Sequence, residues 1–90
     1  MSITTKLVTL GTAAVQVVEP SVQPQFVTFH NMTKSSNEYI FYGGSNVGTA
    51  NAPHIDPGET LQLKLLPGEA IFALSDPDGL ELGVFIQVYP

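Results

Sequence analysis

The fold of this chain is decided by residues 39–69, Tyr39-Ile-Phe-Tyr-Gly-Gly-Ser-Asn-Val-Gly-Thr-Ala-Asn-Ala-Pro-His-Ile-Asp-Pro-Gly-Glu-Thr-Leu-Gln-Leu-Lys-Leu-Leu-Pro-Gly-Glu69. Asp56-Pro57-Gly58-Glu59 and Leu66-Pro67-Gly68-Glu69 each put Pro and then Gly at the centre of a four-residue turn, the type II signature. Between them there is room for one strand, Thr60 to Leu66. Its alternation sets Leu61, Leu63 and Leu65 on one face and Gln62 and Lys64 on the other. Tyr39 to Tyr42 is aromatic and β-branched, and Gly43-Gly44 ends it. Tyr39 and Phe41 share a face there and Tyr42 takes the opposite one. Ser45 to His54 has no period and reads as a long loop crossing from one sheet to another.

The same logic extends outward. Ile3 to Leu10 interleaves apolar and threonine residues as a strand, and Gly11-Thr12 breaks it. Ala13 to Val18 is a second strand, with Val15, Val17 and Val18 giving it a buried face. Pro20 and Pro24 flank a polar loop. Gln25 to His30 carries bulky residues on both faces and reads as a central strand, while Asn31 to Glu38 offers turn chemistry and reads as an exposed hairpin tip. Downstream lie a strand at Ala70 to Ser75, a turn at Asp76-Pro77-Asp78-Gly79, and a strand at Leu82 to Tyr89 with Val84, Ile86 and Val88 opposed to Phe85, Gln87 and Tyr89. About seven short strands at this spacing predict an all-β fold, a small antiparallel β-sandwich or barrel, as a single domain over 1–90.

Composition narrows the function. Ninety residues bury only roughly 60–65% of the unfolded chain's surface. Cysteine is absent, so neither disulfides nor thiolate metal sites reinforce so thin a core. Self-association or docking is left as the expected support. A net charge of −5, with Lys6, Lys34 and Lys64 scattered, excludes the clustered cations that nucleic acid or an anionic membrane requires. Residues 1–10 lack the apolar core of a signal peptide, and no apolar run reaches the length of a membrane span, so synthesis in the cytoplasm is expected.

Candidate chemistry is sparse. Asp76, Asp78, Gly79 and Glu81 lack the further ligands of a calcium loop and read as a turn. His54 sits near Asp56 and Glu59 with no nucleophile or third group, which makes it a surface or interface histidine. Gly43, Gly44 and Gly48 precede no helix and therefore form no phosphate cradle. The acceptor pattern Asn31-Met32-Thr33 needs a secretory route. No catalytic residue, cofactor or metal is assigned, and the expectation is a protein that is not an enzyme. Of the aromatic residues Tyr39, Phe41, Tyr42, Phe72, Phe85 and Tyr89, about half belong to the core, and any left outside suit a subunit interface or a glycan.

The order of these patterns resembles a group of small structural proteins of tailed-phage virions. The likeness is carried by Val8 to Ala13, by the strand Phe26 to Asn31, by the aromatic strand ending in Gly-Gly-Ser-Asn-Val at Tyr39 to Val47, by the turn Pro57 to Glu59, and by Pro67 to Ala73. What this implies is a β-sandwich head decoration or cement protein of a bacteriophage, a homo-oligomer located on the capsid surface and made in the host cytoplasm. The major capsid protein or another virion protein would be its partner. A neck, tail or fibre component and a carbohydrate-binding or host-adhesion module are the alternatives. Residues 1–12 are then a candidate partner-binding arm, and Ile3, Leu7, Tyr39, Tyr42, His54 and Tyr89 are candidate interface residues.

Overall fold

The computed structural model describes residues Ser2–Tyr89; Met1, the first residue of the expected arm, and Pro90 lie outside them. Its strands are β1 (Ser2–Thr9), β2 (Val15–Val18), β3 (Gln25–Asn31), β4 (Tyr39–Gly43), β5 (His54–Ile55), β6 (Thr60–Leu65), β7 (Ile71–Asp76) and β8 (Glu81–Val88). They form two four-stranded antiparallel sheets, ordered β1-β8-β3-β6 and β2-β7-β4-β5. This is the antiparallel β-sandwich that the strand spacing predicts.

The pairing has a simple rule. β1 pairs with β8, β2 with β7, β3 with β6 and β4 with β5. One long hairpin, running out through β1–β4 and back through β5–β8, gives this pattern when it is rolled into two layers. The β3–β8 and β4–β7 ladders close the roll. That topology is an eight-stranded jelly roll.

Three expectations need correction. The strand β5 is an eighth element, and with only two residues it is too short to carry a period. Residues 45–54 do not cross between sheets, because β4 and β5 are neighbours in one sheet. The loop instead folds over that sheet's outer face, where Val47 is buried with Phe41 and Leu74 in a small second core. Residues 31–38 form no hairpin tip, since β3 and β4 lie in different sheets. Asn31 is fully buried there.

Asn31 departs from the expected turn role because a polar side chain can serve as a bolt as well as a turn former. Its Nδ2 donates to the carbonyls of Glu38 and Ile55, each at 3.0 Å. Its Oδ1 accepts from Thr33 N at 3.1 Å and from Thr33 Oγ1 at 2.7 Å. Its own N–H donates to the Glu59 carbonyl, and its carbonyl accepts from Gly58 N–H. One residue thus ties β3 to β5 and to the first Pro-Gly turn. Among the described residues every buried side-chain polar atom has a partner.

The main core lies between the sheets. Phe29, Leu82, Val84, Val27 and Leu10 meet Ile40, Val17, Val18, Ala73 and Ile55 there. Complete burial of Phe29 alone stabilises by roughly 1.5–3 kcal/mol. In β2 the expected face included Val15, which is 42% exposed. The register shifts between Gln16 and Val18, so the consecutive residues Val17 and Val18 both turn inward.

Both Pro-Gly turns have the expected geometry, with φ of 76° at Gly58 and 86° at Gly68. Glu59 N–H donates to the Asp56 carbonyl and Glu69 N–H to the Leu66 carbonyl. Each Glu side chain then reaches back, its Oε1 accepting from Asp56 N–H at 2.9 Å and from Leu66 N–H at 2.6 Å. The turn at Asp78-Gly79 packs on the end of β1. Gly79 N–H donates to the Leu10 carbonyl and Ser75 N–H to that of Gly11. A Cβ at Gly11 would stand 2.9 Å from Asp78 Oδ1, so the Asp78 side chain would have to swing aside to admit one.

Candidate interaction surface

A jelly roll has four sheet edges, and this one treats them unequally. β5 has two residues and is too short to template another strand. β2 has four and is bulged. β6 has six residues and is stopped by Pro67. Short length, a bulge and a proline are all devices that blunt an edge. β1 has eight residues in unbroken register with β8 from Ser2↔Val88 to Thr9↔Glu81, and Lys6 is its one charge. It is the one long regular edge.

β1 is also uncovered on both faces. Val8 alone of its residues is half-buried; the other seven are exposed. The reason is length, since the opposite sheet ends in the four-residue β2 and cannot reach beneath the first half of β1. Thr4 and Lys6 overhang a groove of about 350 Å³ whose far wall is Glu19, Pro20 and Ser21. Ile86 and Val88 form part of its lining. A strand bare on two faces and one edge is held by a single ladder.

The outer face of the β1-β8-β3-β6 sheet is organised in cross-strand rows. One row reads Ile3, Gln87, Phe26, Lys64. The next is Thr5, Phe85, Thr28, Gln62, and the third is Leu7, Gly83, His30, Thr60. Ile3, Leu7 and Phe26 are 56%, 55% and 43% exposed. Tyr89 meets Phe26 edge to face at 5.1 Å, and Lys64 Nζ lies 5.6 Å from the Phe26 ring centroid. A depression of about 240 Å³ opens beside Thr28, Gln62 and Lys64. Ile3, Leu7 and Tyr89 are thus brought to one surface.

Tyr39 and His54 fall elsewhere, on the outer face of the second sheet. Their rings pack at 4.8 Å, with Phe41 also 5.5 Å from His54. His54 Nε2 stands 3.0 Å from Asp56 Oδ1. This cluster is pinned by the pairing of Phe41 with His54 across β4 and β5. Tyr42 turns inward and is half-buried, its ring 6.5 Å from Phe29. Sequence reasoning omitted Phe26 from the candidate set, although its place in a strand with bulky residues on both faces was the available signal. The described residues contain no group of three His, Cys, Asp or Glu side chains able to hold a metal.

One solved structure gives the comparison. It is described as "Bacillus endospore appendages form a novel family of disulfide-linked pili", and it superposes with a TM-score of 0.61 over 94% of this chain and 80% of that one. The fold is shared. Identity is 14%, so the likeness extends to architecture alone. No cysteine is present here, so a disulfide linkage is closed to this chain. No family model and no curated protein matches the sequence.

Proposed function

We propose that this chain is a non-enzymatic structural subunit of a phage virion, a decoration or cement protein that binds the outer capsid lattice and stabilises it. The observation that carries the proposal is β1, a regular eight-residue edge strand exposed on both faces. Such an edge gains a full ladder of hydrogen bonds when a partner's strand lies against it. Of residues 1–12, read as a partner-binding arm, Ser2–Thr9 form this strand and the Leu10 and Gly11 carbonyls that follow accept from Gly79 and Ser75 N–H. The mechanism is adhesive. Each copy lends the hydrogen bonds of its β1 edge, and repetition over a lattice multiplies a weak contact. The shared fold supports a structural role of this kind, since the similar structure is described as forming pili.

A glycan-binding module is less well supported. A sugar ring stacks on a flat exposed aromatic face. Phe41 is instead buried beneath Val47, and Phe26 and Tyr89 stand nearly perpendicular, at 87°. The test is the copy number of this chain in purified particles, by quantitative mass spectrometry against the major capsid protein. A number comparable to that of the capsid protein is expected. A handful of copies per particle moves the chain to the neck, tail or a fibre, and absence from particles overturns the virion reading.

A further inference from the structure

We infer that the outer face of the β1-β8-β3-β6 sheet is a self-complementary interface, on which a second copy of this chain docks face to face about a two-fold axis parallel to the strands. Charge is the first argument. The chain carries eight acids, and all eight lie in connections or at strand ends. None falls in the three cross-strand rows of this face, where Lys64 is the one charged side chain; Glu81, opposite Thr9 at the end of β8, is the single acid on the same side. Two copies of an acidic protein repel least when they approach through this face.

Relief is the second argument. An axis along the strands between β8 and β3 exchanges β1 with β6 and β8 with β3, so each row meets the same row reversed. In the middle row Phe85 then faces the partner's Thr28, the small residue beside the depression lined by Gln62 and Lys64. In the outer rows Ile3 lies over the partner's Lys64, and Leu7 over the partner's Thr60. Large side chains oppose small or flexible ones twice, once for each direction of the two-fold.

Size is the third. Strands of eight, eight, seven and six residues, about 4.8 Å apart, give a footprint of roughly 450 Å² per copy, or about 900 Å² for the pair, the size of a weak, reversible dimer. This pairing leaves the free edge of β1 unused. The inference therefore goes beyond the lattice contact proposed above and does not depend on it.

The test is sedimentation equilibrium on the purified full chain, with two variants. Leu7→Lys places a charge at an exposed position, and Thr28→Trp fills the site that receives Phe85; far-ultraviolet circular dichroism checks that both fold. The expected result is a wild-type dimer of twice 9.6 kDa whose dissociation constant rises on the order of 100-fold in either variant. A wild-type protein that stays monomeric up to its solubility limit overturns the inference. So does a dimer that neither folded variant weakens, which would assign pairing to an edge or to the other sheet. A monomer whose capsid binding is lost in Leu7→Lys would give the face to the lattice instead, and leave the virion reading standing.

Discussion

Replacing Asn31 with Ala tests how this thin sandwich is held together. The side chain makes four hydrogen bonds, and only one of its partners, the Ile55 carbonyl, is joined to it in a wholly buried setting. Leaving that carbonyl unpaired costs about 1–3 kcal/mol. The Glu38 carbonyl and the Thr33 N–H and hydroxyl are part-buried, so water replaces some of their bonding and each loses roughly 0.5–1 kcal/mol. The sum is about 2.5–6 kcal/mol. A chain of this length has a total stability of roughly 5–13 kcal/mol, so the loss is a large fraction of it.

The assay is urea unfolding followed by far-ultraviolet circular dichroism, with the midpoint falling and the slope unchanged. Asn31→Asp sharpens the test, because it keeps the acceptor and puts a carboxylate oxygen where the amide donated to two carbonyls. The folded state then favours the protonated acid and raises its pKa above the unfolded value of about 3.9. Relative to wild type, the variant is least destabilised below that value and loses stability as pH rises through the folded pKa. An Asn31→Ala loss under about 1 kcal/mol, or an Asn31→Asp penalty flat with pH, would refute the bolt.

Phe29→Ala empties the centre of the inter-sheet core, and a loss of about 3–5 kcal/mol is expected in the same unfolding assay. Gly58→Ala and Gly68→Ala meet no steric neighbour, so each should cost only the left-handed backbone penalty of about 1–2 kcal/mol, read as a fall in melting temperature. Val47→Ala loosens the loop over Phe41 and Leu74; it should cost about 1–2 kcal/mol and speed amide exchange in residues 44–52 before the core of β3 and β8 responds.

Much of the fold was legible because its signals are local. The Pro-Gly turns fix their own backbone, and the Leu61, Leu63, Leu65 alternation names its buried face with no knowledge of the partner sheet. What stayed hidden depends on distant pairing. β5 exists because Ile55 lies opposite Ile40, and nothing in His54-Ile55 alone announces a strand. The roles of Asn31 and of Val17 beside Val18 likewise arise from tertiary contacts that override local preference. The candidate site was half legible for the same reason. Ile3 and Leu7 were recognisable as a strand's apolar face, but their exposure follows from the shortness of β2 in the other sheet. Tyr42 offered an aromatic signal identical to that of Tyr39, and only strand parity separated core from surface.

The treatment of edges and faces connects the two proposals. A protein that simply needed solubility would blunt β1 as it blunts β2, β5 and β6, and would not place Ile3 and Leu7 beside Phe26 on an open face. Keeping both features carries an aggregation risk in the free chain, and that risk is tolerable where each surface meets a defined partner. In the face-to-face pairing, the two-fold axis sends the β1 edges to opposite sides of the dimer. Neither edge is consumed. A dimer of this form is bivalent, with two identical strand templates on either flank, and a bivalent unit on a repeating lattice gains an effective concentration for its second contact once the first is made. In the proposed assembly, thinness of the core and exposure of β1 are two aspects of one arrangement, in which bound partners add to the stability of the single chain.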